Sequence, residues 1–525
     1  MWAPEGLYNM RGFTLWLILG FGITYKKVVG SQASSPFGIT RGGGSVKIKS
    51  FDNDGFDLLA TFVQERFQDS SHEKICKTLV RLGSAQQTFK GLDGAAHEAY
   101  QRTHSVDDID TAVAGRAQRS AARIAATAEA LLACELIELV REPNLLQNDT
   151  LVGRRVVLNI SATDGNVTLA DSNLSVLVLY EESYDRGAGL EHGTIDSLAV
   201  KDSYRRGRKP RGRLIVVLGD DLSEDLVETI TILNQAPQRV KLSSGLVTNE
   251  VASVQPTLYK SAGKLLNFLE PHLRQYNTTA VHFVGRSLAG GVASLAATIL
   301  DGTIPMPKAK KSKRKASKKT GTKLKDVNEV DVVGEMNNTA INEEAEVLEP
   351  LNGLGRARSS AMTLGAPPCL SSNVQGAYCT SILFGDDIVC RTTHDSIERL
   401  FGRIERSING GFVGRNIGWM SDTVSLTMSS LKSHAHGSEG EEAKLSIPGR
   451  AYLIRPRRLG GFCSVHEVGN MKKGGREALR ANLLWQLNDV LLSKSMWKHH
   501  QLESYIQGLD RVHLRGSLDD GESMY

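Results

Sequence analysis

An α/β fold with a mostly parallel central sheet, flanking helices and a helical and β-rich N-terminal extension is what this sequence predicts, on three observations. Short continuous apolar runs such as Leu214–Leu218 suit strands buried on both faces of a sheet. From about residue 205 such runs alternate with helical patterns, the order that parallel βα units require. One strand candidate, 280–284, runs without a break into Gly-x-Ser-x-Ala and then an Ala-rich helix.

The elements follow in order. Residues 1–50 form a targeting or anchor segment: the apolar run 12–25, flanked by Arg11 and by Lys26 and Lys27, is shorter than the ~20 residues a bilayer span needs. Its length suits a signal-peptide core, with Ser31-Gln32-Ala33 as a cleavage site. The absence of acids between Glu5 and Asp52 also fits a plastid-type leader, and basic residues on both flanks fit an uncleaved anchor. The expected location is membrane-associated, by a secretory or plastid route, and the sequons at Asn148, Asn159, Asn166, Asn173, Asn277 and Asn337 suit the former.

A helical extension covers 51–145, its pattern strongest over 108–142 where Pro143 closes it. A β-rich segment, 146–204, contains RRVVLNISA and NLSVLVLYEE around the turn-prone TDGN. The core is expected over 205–512. After Leu214–Leu218 come the helices SEDLVETITIL and SAGKLLNFLEPHL, the strand-turn-helix at 280–300, and the strands SSAMTLGA and TSILFGDDIV. The helix THDSIERLFGRIER, the strands PGRAYLIRP and GFCSVHEV, and a helix through 476–492 complete it before a polar tail, 513–525. Residues 302–349, Lys-rich and then acidic, cannot bury enough apolar surface to offset ordering, and predict a disordered insertion.

The net charge of +5 is small for 525 residues, and much of the basic signal sits in 308–325. That block has no interleaved aromatics for base stacking, so no nucleic-acid partner is expected. Attraction to anionic lipid headgroups at a membrane surface fits it better. The six cysteines (Cys76, Cys134, Cys369, Cys379, Cys390, Cys463) show no C-x-x-C pair or zinc-like Cys/His spacing, so the expectation is buried thiols, no metal and no cofactor.

Chemistry concentrates at VHFVGRSLAGGVASLAA. A serine on a tight strand-to-helix turn stands clear of its sheet, and small neighbours are needed where strand and helix approach. Gly285 meets that need, Ala289 takes the place of the usual second glycine, and Ser287 is the nucleophile of the arrangement. The Leu288 backbone N–H, next in sequence, is placed to donate to an oxyanion.

These residues resemble the class 3 lipases, and most of all the diacylglycerol lipases, whose elbow commonly reads G-H-S-L-G-A-G where this chain has GRSLAGG at 285–291. The similarity extends over roughly 205–510 through RLIVVLGDDLSEDLVETI, SAMTLGAPP, ILFGDDIVCR and DVLLSKSMWKHHQLESYIQGL, in the family's order. It implies an α/β-hydrolase fold, hydrolysis of carboxylic esters of glycerolipids, Asp387 as triad acid and His500 as base, with Asp220 beside the oxyanion. The order Ser287, Asp387, His500 is also the one that topology demands. Asp386, and His466 or His499, remain the other acid and base readings, while His434 and His436 read as loop residues. Asp220 stands where the family has a hydroxyl residue, Arg286 where it has histidine and Cys390 where it has proline. A catalytically impaired, lipid-binding homologue is therefore the second reading.

Overall fold

The computed structural model describes residues 54–87, 126–141, 154–160, 168–169, 172–182, 212–220, 225–242, 251–276, 280–307, 359–371, 374, 379–409, 444–456, 463–468, 487 and 489–522. All of them belong to one compact unit, Asn53–Tyr525. The apolar run at 12–25, the basic block 308–325 and the histidines at 434 and 436 lie outside the described residues.

Helices α1 (Asp54–Gln64), α2 (72–87) and α3 (126–141) precede the strands β1 (Arg154–Ile160), β2 (Thr168–Leu169) and β3 (Ser172–Glu181). The core proceeds through β4 (Arg213–Asp220), α4 (Leu226–Leu233), β5 (Gln238–Lys241), β6 (Val251–Val254) and α5 (Pro256–Gln275). It continues with β7 (Ala280–Arg286), α6 (Ser287–Leu300), β8 (Ser359–Leu364), β9 (Leu370–Ser371), β10 (Cys379–Phe384) and α7 (His394–Asn409). Last come β11 (Leu445–Ser446), β12 (Arg450–Pro456), β13 (Cys463–Val468) and α8 (Leu502–Glu522).

The main sheet runs β1-β3-β4-β7-β8-β10-β12-β13, with β2 on β3. Strands β4, β7, β8, β10 and β12 are mutually parallel, and β1, β3 and β13 add antiparallel edges. The β-rich segment before residue 205 is thus the antiparallel flank of this sheet.

Side-chain alternation along the strands explains the layers. Val176, Val178, Leu214, Val216, Leu218 and Phe283 face one way, into a core shared with α1, α2, α4, α5, α6 and α7. Their neighbours Leu177, Leu179, Ile215, Val217 and Val284 face the other way, onto α3 and α8. A period of two places successive residues on opposite faces, so a run apolar at every position requires helices on both sides. The N-terminal helices therefore cover the sheet and share its core.

Local chemistry sets the helix starts. Asp225 caps α4 by accepting from the Glu228 N–H at 3.0 Å. Gln255 caps α5, accepting from the Leu258 N–H at 2.7 Å, with Pro256 at the first helical position where no amide is needed.

Three expectations change. The chain is packed through residue 307, six residues into the expected insertion: Ile304 is buried and the Tyr259 hydroxyl donates to the Pro305 carbonyl at 2.6 Å. The apolar IPMP start of that segment supplies what its Lys-rich remainder lacks. The last helix runs to Glu522, past 512.

Residues 489–492 are irregular where a helix was expected. The Gln86 side chain explains why, donating to the Val490 carbonyl at 3.0 Å and accepting from the Leu492 N–H at 2.8 Å, groups a helix would have used itself. Replacing Gln86 with Leu should cost about 2–3 kcal/mol, because two buried backbone groups lose their partner. Denaturant unfolding measures this, and an unchanged midpoint would show that the loop is held by other contacts. A second, four-stranded antiparallel sheet, β11-β9-β6-β5, was not foreseen, two of its strands being only two residues long. Among the described residues no helix is long and apolar enough to cross a membrane.

Candidate active site

Strand β7 is buried along its whole length and passes directly into α6 at Ser287. Ser287 is the one non-glycine residue with positive φ among those described, at 54°. A side chain in this left-handed region costs roughly 1–2 kcal/mol, and the neighbours hold it there. A Cβ on Gly285 would lie 2.7 Å from the Ala289 carbonyl oxygen, and one on Gly290 would lie 3.0 Å from the Gly285 oxygen. The tight crossing falls at Gly285 and Gly290, so the Ala289 methyl is accommodated as a buried side chain. The N-cap residue of α6, Arg286, makes no side-chain cap hydrogen bond, and the Leu288 N–H lies among the first-turn amides that lack an intrahelical partner.

Asp387, the candidate acid, follows the end of β10. Gly385, at φ 49°, turns the chain so that Asp387 points inward. Its Oδ1 accepts from the Val389 N–H at 2.9 Å and its Oδ2 from the Tyr505 hydroxyl at 2.6 Å, while that hydroxyl accepts from the Phe384 N–H at 3.2 Å. Arg391, itself buried, donates to the carbonyls of Asp387 and Gly385 and fixes the turn from below.

His500 ends a 3-10 turn, Lys498–His500, just before α8. Its Nδ1 lies 3.0 and 3.1 Å from the two Asp387 carboxylate oxygens, and its Nε2 lies 3.0 Å from Ser287 Oγ. Trp497 stacks on the imidazole at 5.2 Å between centroids, and Arg286 donates to the His500 carbonyl at 3.3 Å. Arg286, which stands where the resembled family has histidine, thus braces the loop that carries His500. Ser287, Asp387 and His500 are fully buried. Burial pushes the Asp387 carboxyl up, but His500, the Tyr505 hydrogen bond and Arg391 outweigh it, leaving the group below its ordinary value. It is ionised at neutral pH.

The rival positions separate. His499 accepts at Nδ1 from the Asp386 N–H at 2.9 Å and packs edge-on against Phe384, away from Ser287. Asp386 takes a hydrogen bond from Gln87 at 3.3 Å. His466 pairs with Leu453 on the edge strand β13, and its side chain lies outside the described residues. Asp220 ends β4 opposite Leu174, and its side chain also lies outside them. The Cys390 thiol is buried, sits 3.2 Å from the Asp387 carbonyl, and is held protonated by desolvation.

Sequence reasoning did not single out Tyr505, Arg391, Trp497 or Gly365. The last has φ 59°, and a Cβ there would lie 2.6 Å from Asp387 Oδ2. The only signal in the sequence was indirect: a glycine beside a strand end, and an aromatic five residues after the base.

A mostly parallel sheet with helices on both faces and a serine on a strand-to-helix elbow defines an α/β-hydrolase fold. No family model and no curated protein sequence matches the chain. Among solved structures it is similar to the native propeptide complex of a Rhizomucor miehei lipase, with a TM-score of 0.33, 11% identity, and coverage of 69% of this chain and 78% of that one. It is also similar to a Penicillium expansum triacylglycerol lipase (TM-score 0.30, 10% identity, 66% and 85% covered) and to lipase II from Rhizopus niveus (0.25, 16%, 55% and 76%).

Proposed function

We propose that this protein is a serine hydrolase that cleaves carboxylic esters of glycerolipids, in the manner of a diacylglycerol lipase. The observation that carries the hydrolase reading is the relay itself: Ser287 Oγ, His500 Nε2 and Asp387 in one hydrogen-bonded line, with the serine in a strained elbow. A serine hydroxyl is a poor nucleophile at its own pKa and needs a base in contact. His500 takes the Oγ proton as Ser287 attacks the ester carbonyl, and Asp387 stabilises the imidazolium that forms. The Leu288 N–H at the start of α6 donates to the developing oxyanion, helped by the helix dipole. His500 returns the proton to the leaving alkoxide, and water then releases the acyl group by the same route. The glycerolipid half of the reading rests on the class 3 lipase resemblance of the sequence blocks around Ser287, Asp387 and His500. The basic block 308–325 would bring the enzyme to an anionic membrane surface.

A fluorophosphonate probe tests the proposal directly. Labelling confined to Ser287 is the expected result, and an unlabelled native protein would sink it.

The second reading, a silent lipid-binding homologue, draws on Asp220. A carboxylate ~4 Å from an oxyanion, at an effective dielectric of ~20, repels it by on the order of 4 kcal/mol, roughly a thousandfold in rate. In the active reading the carboxylate faces away from the oxyanion, so Asp220→Ser leaves hydrolysis of a short-chain ester unchanged or slower; Arg213, at the opposite end of β4 and paired with Glu181, is too far away to hold it outward. A rise of two or more decades would favour the silent homologue.

A further inference from the structure

Away from the triad, helices α1 and α2 bring together one sulfur, one imidazole and one carboxylate. His72 and Cys76 are four residues apart on α2, on one helix face. Asp57, in the first turn of α1, reaches across to both. Its Oδ1 lies 3.8 Å from His72 Nε2 and 3.9 Å from Cys76 Sγ, while His72 Nδ1 lies 3.7 Å from that sulfur. One ligand atom from each residue falls within 4.8 Å of the others. These separations are too long for strong hydrogen bonds. An ion binds one nitrogen of His72, and with one atom per residue the spread of up to 4.8 Å exceeds by about 1 Å the roughly 3.3–3.8 Å between ligand atoms of a tetrahedral ion, a closure that the exposed Asp57 and His72 side chains can make.

We propose that Asp57, His72 and Cys76 hold a divalent metal ion of the zinc class, with the fourth position open to water. The donor set decides the class: a thiolate and an imidazole suit Zn²⁺ or Co²⁺ and exclude a site built for Mg²⁺ or Ca²⁺, which take oxygen ligands. Exposure supplies the entry path, since the Asp57 and His72 side chains are 67% and 42% exposed while Cys76 packs against the core. On binding, the sulfur–hydrogen bond gives way to a sulfur–metal bond and the proton leaves to water. No zinc-like spacing marks the site in the sequence, because the third ligand comes from another helix.

The site is independent of the hydrolase reading, although the same two helices reach the loop of His500. Gly55 packs against Trp497, and Gln86 holds residues 490–492. An ion at this point would clip α1 to α2 beneath that loop.

Titration of the full-length, reduced protein with Co²⁺ tests the site. The expected result is a near-ultraviolet thiolate-to-metal band and visible bands of tetrahedral intensity, saturating at about one equivalent and bleached by Zn²⁺. Cys76→Ser should abolish the thiolate band, and His72→Ala and Asp57→Asn should each weaken binding by roughly tenfold or more. Because His72 and Asp57 are exposed, those two variants keep the fold, and unchanged circular dichroism separates lost ligation from unfolding. Ser287→Ala should titrate like the native protein. No band at one equivalent, or a band that survives Cys76→Ser, overturns the proposal.

Discussion

Ser287→Ala should lower kcat/KM for a short-chain ester by roughly five to six decades, to what binding and the oxyanion donor supply alone. The size of the loss follows from the geometry. Among the described residues only Ser287 Oγ lies on His500 Nε2, so none of them offers a second hydroxyl to the proton relay. Stability should change by only about 1 kcal/mol, the worth of one hydrogen bond. A companion variant separates the elbow from the chemistry. Ser287→Gly should be equally inactive yet more stable than Ser287→Ala by about 1 kcal/mol, because glycine adopts φ 54° without the Cβ clash. Ester assays and denaturant melts on the two variants decide the matter. Retained hydrolysis in either would remove Ser287 from the nucleophile's place, and equal melts would mean that the elbow is not strained.

The buried strands were legible because a sheet covered on both faces makes every position apolar, and Leu214–Leu218 and 280–284 show that directly. The elbow was legible for a related reason: tight strand-to-helix packing admits small residues only, and they follow one another in sequence. Asp387 and His500 were reached through the family resemblance, and the described geometry brings both to Ser287. What the sequence hid depends on contacts between distant segments. Gln86 meets Leu492 across 406 positions and Tyr505 meets Asp387 across 118, and no local pattern marks either pair. The end of the expected helix, 489–492, misled for the same reason, since a distant side chain satisfies its backbone groups. The small sheet of β5, β6, β9 and β11 was missed because two to four residues carry too little alternation to register.

Asp387→Asn should lower kcat/KM by about four decades, through the histidine tautomer. The carboxylate stands among three donors: the Val389 N–H on Oδ1, the Tyr505 hydroxyl on Oδ2 and the imidazole Nδ1 facing both oxygens. An asparagine has one oxygen to offer. The Val389 amide cannot rotate, so that oxygen stays on its side and the NH₂ group takes the place of Oδ2. Tyr505 can turn its hydroxyl to accept, because the hydroxyl has a lone pair left beside the one used by the Phe384 N–H. The imidazole, which faced both oxygens, now lies against one oxygen and one NH₂ at nearly equal distance: a proton on Nδ1 would meet the NH₂ hydrogens, so Nδ1 becomes the acceptor and the proton moves to Nε2. A protonated Nε2 cannot take the Ser287 proton, so the relay is blocked with every heavy atom in place. Tyr505→Phe makes the contrast. It removes one hydrogen bond to the carboxylate but leaves the acceptor for Nδ1–H, and its cost should be nearer tenfold. Nitrogen-15 chemical shifts of the His500 ring would report the tautomer in each variant, with Nε2–H expected in Asp387→Asn and Nδ1–H in the native protein and Tyr505→Phe. A rate for Asp387→Asn within tenfold of native, or an unchanged tautomer, would take Asp387 out of the relay and leave its buried charge without a catalytic role.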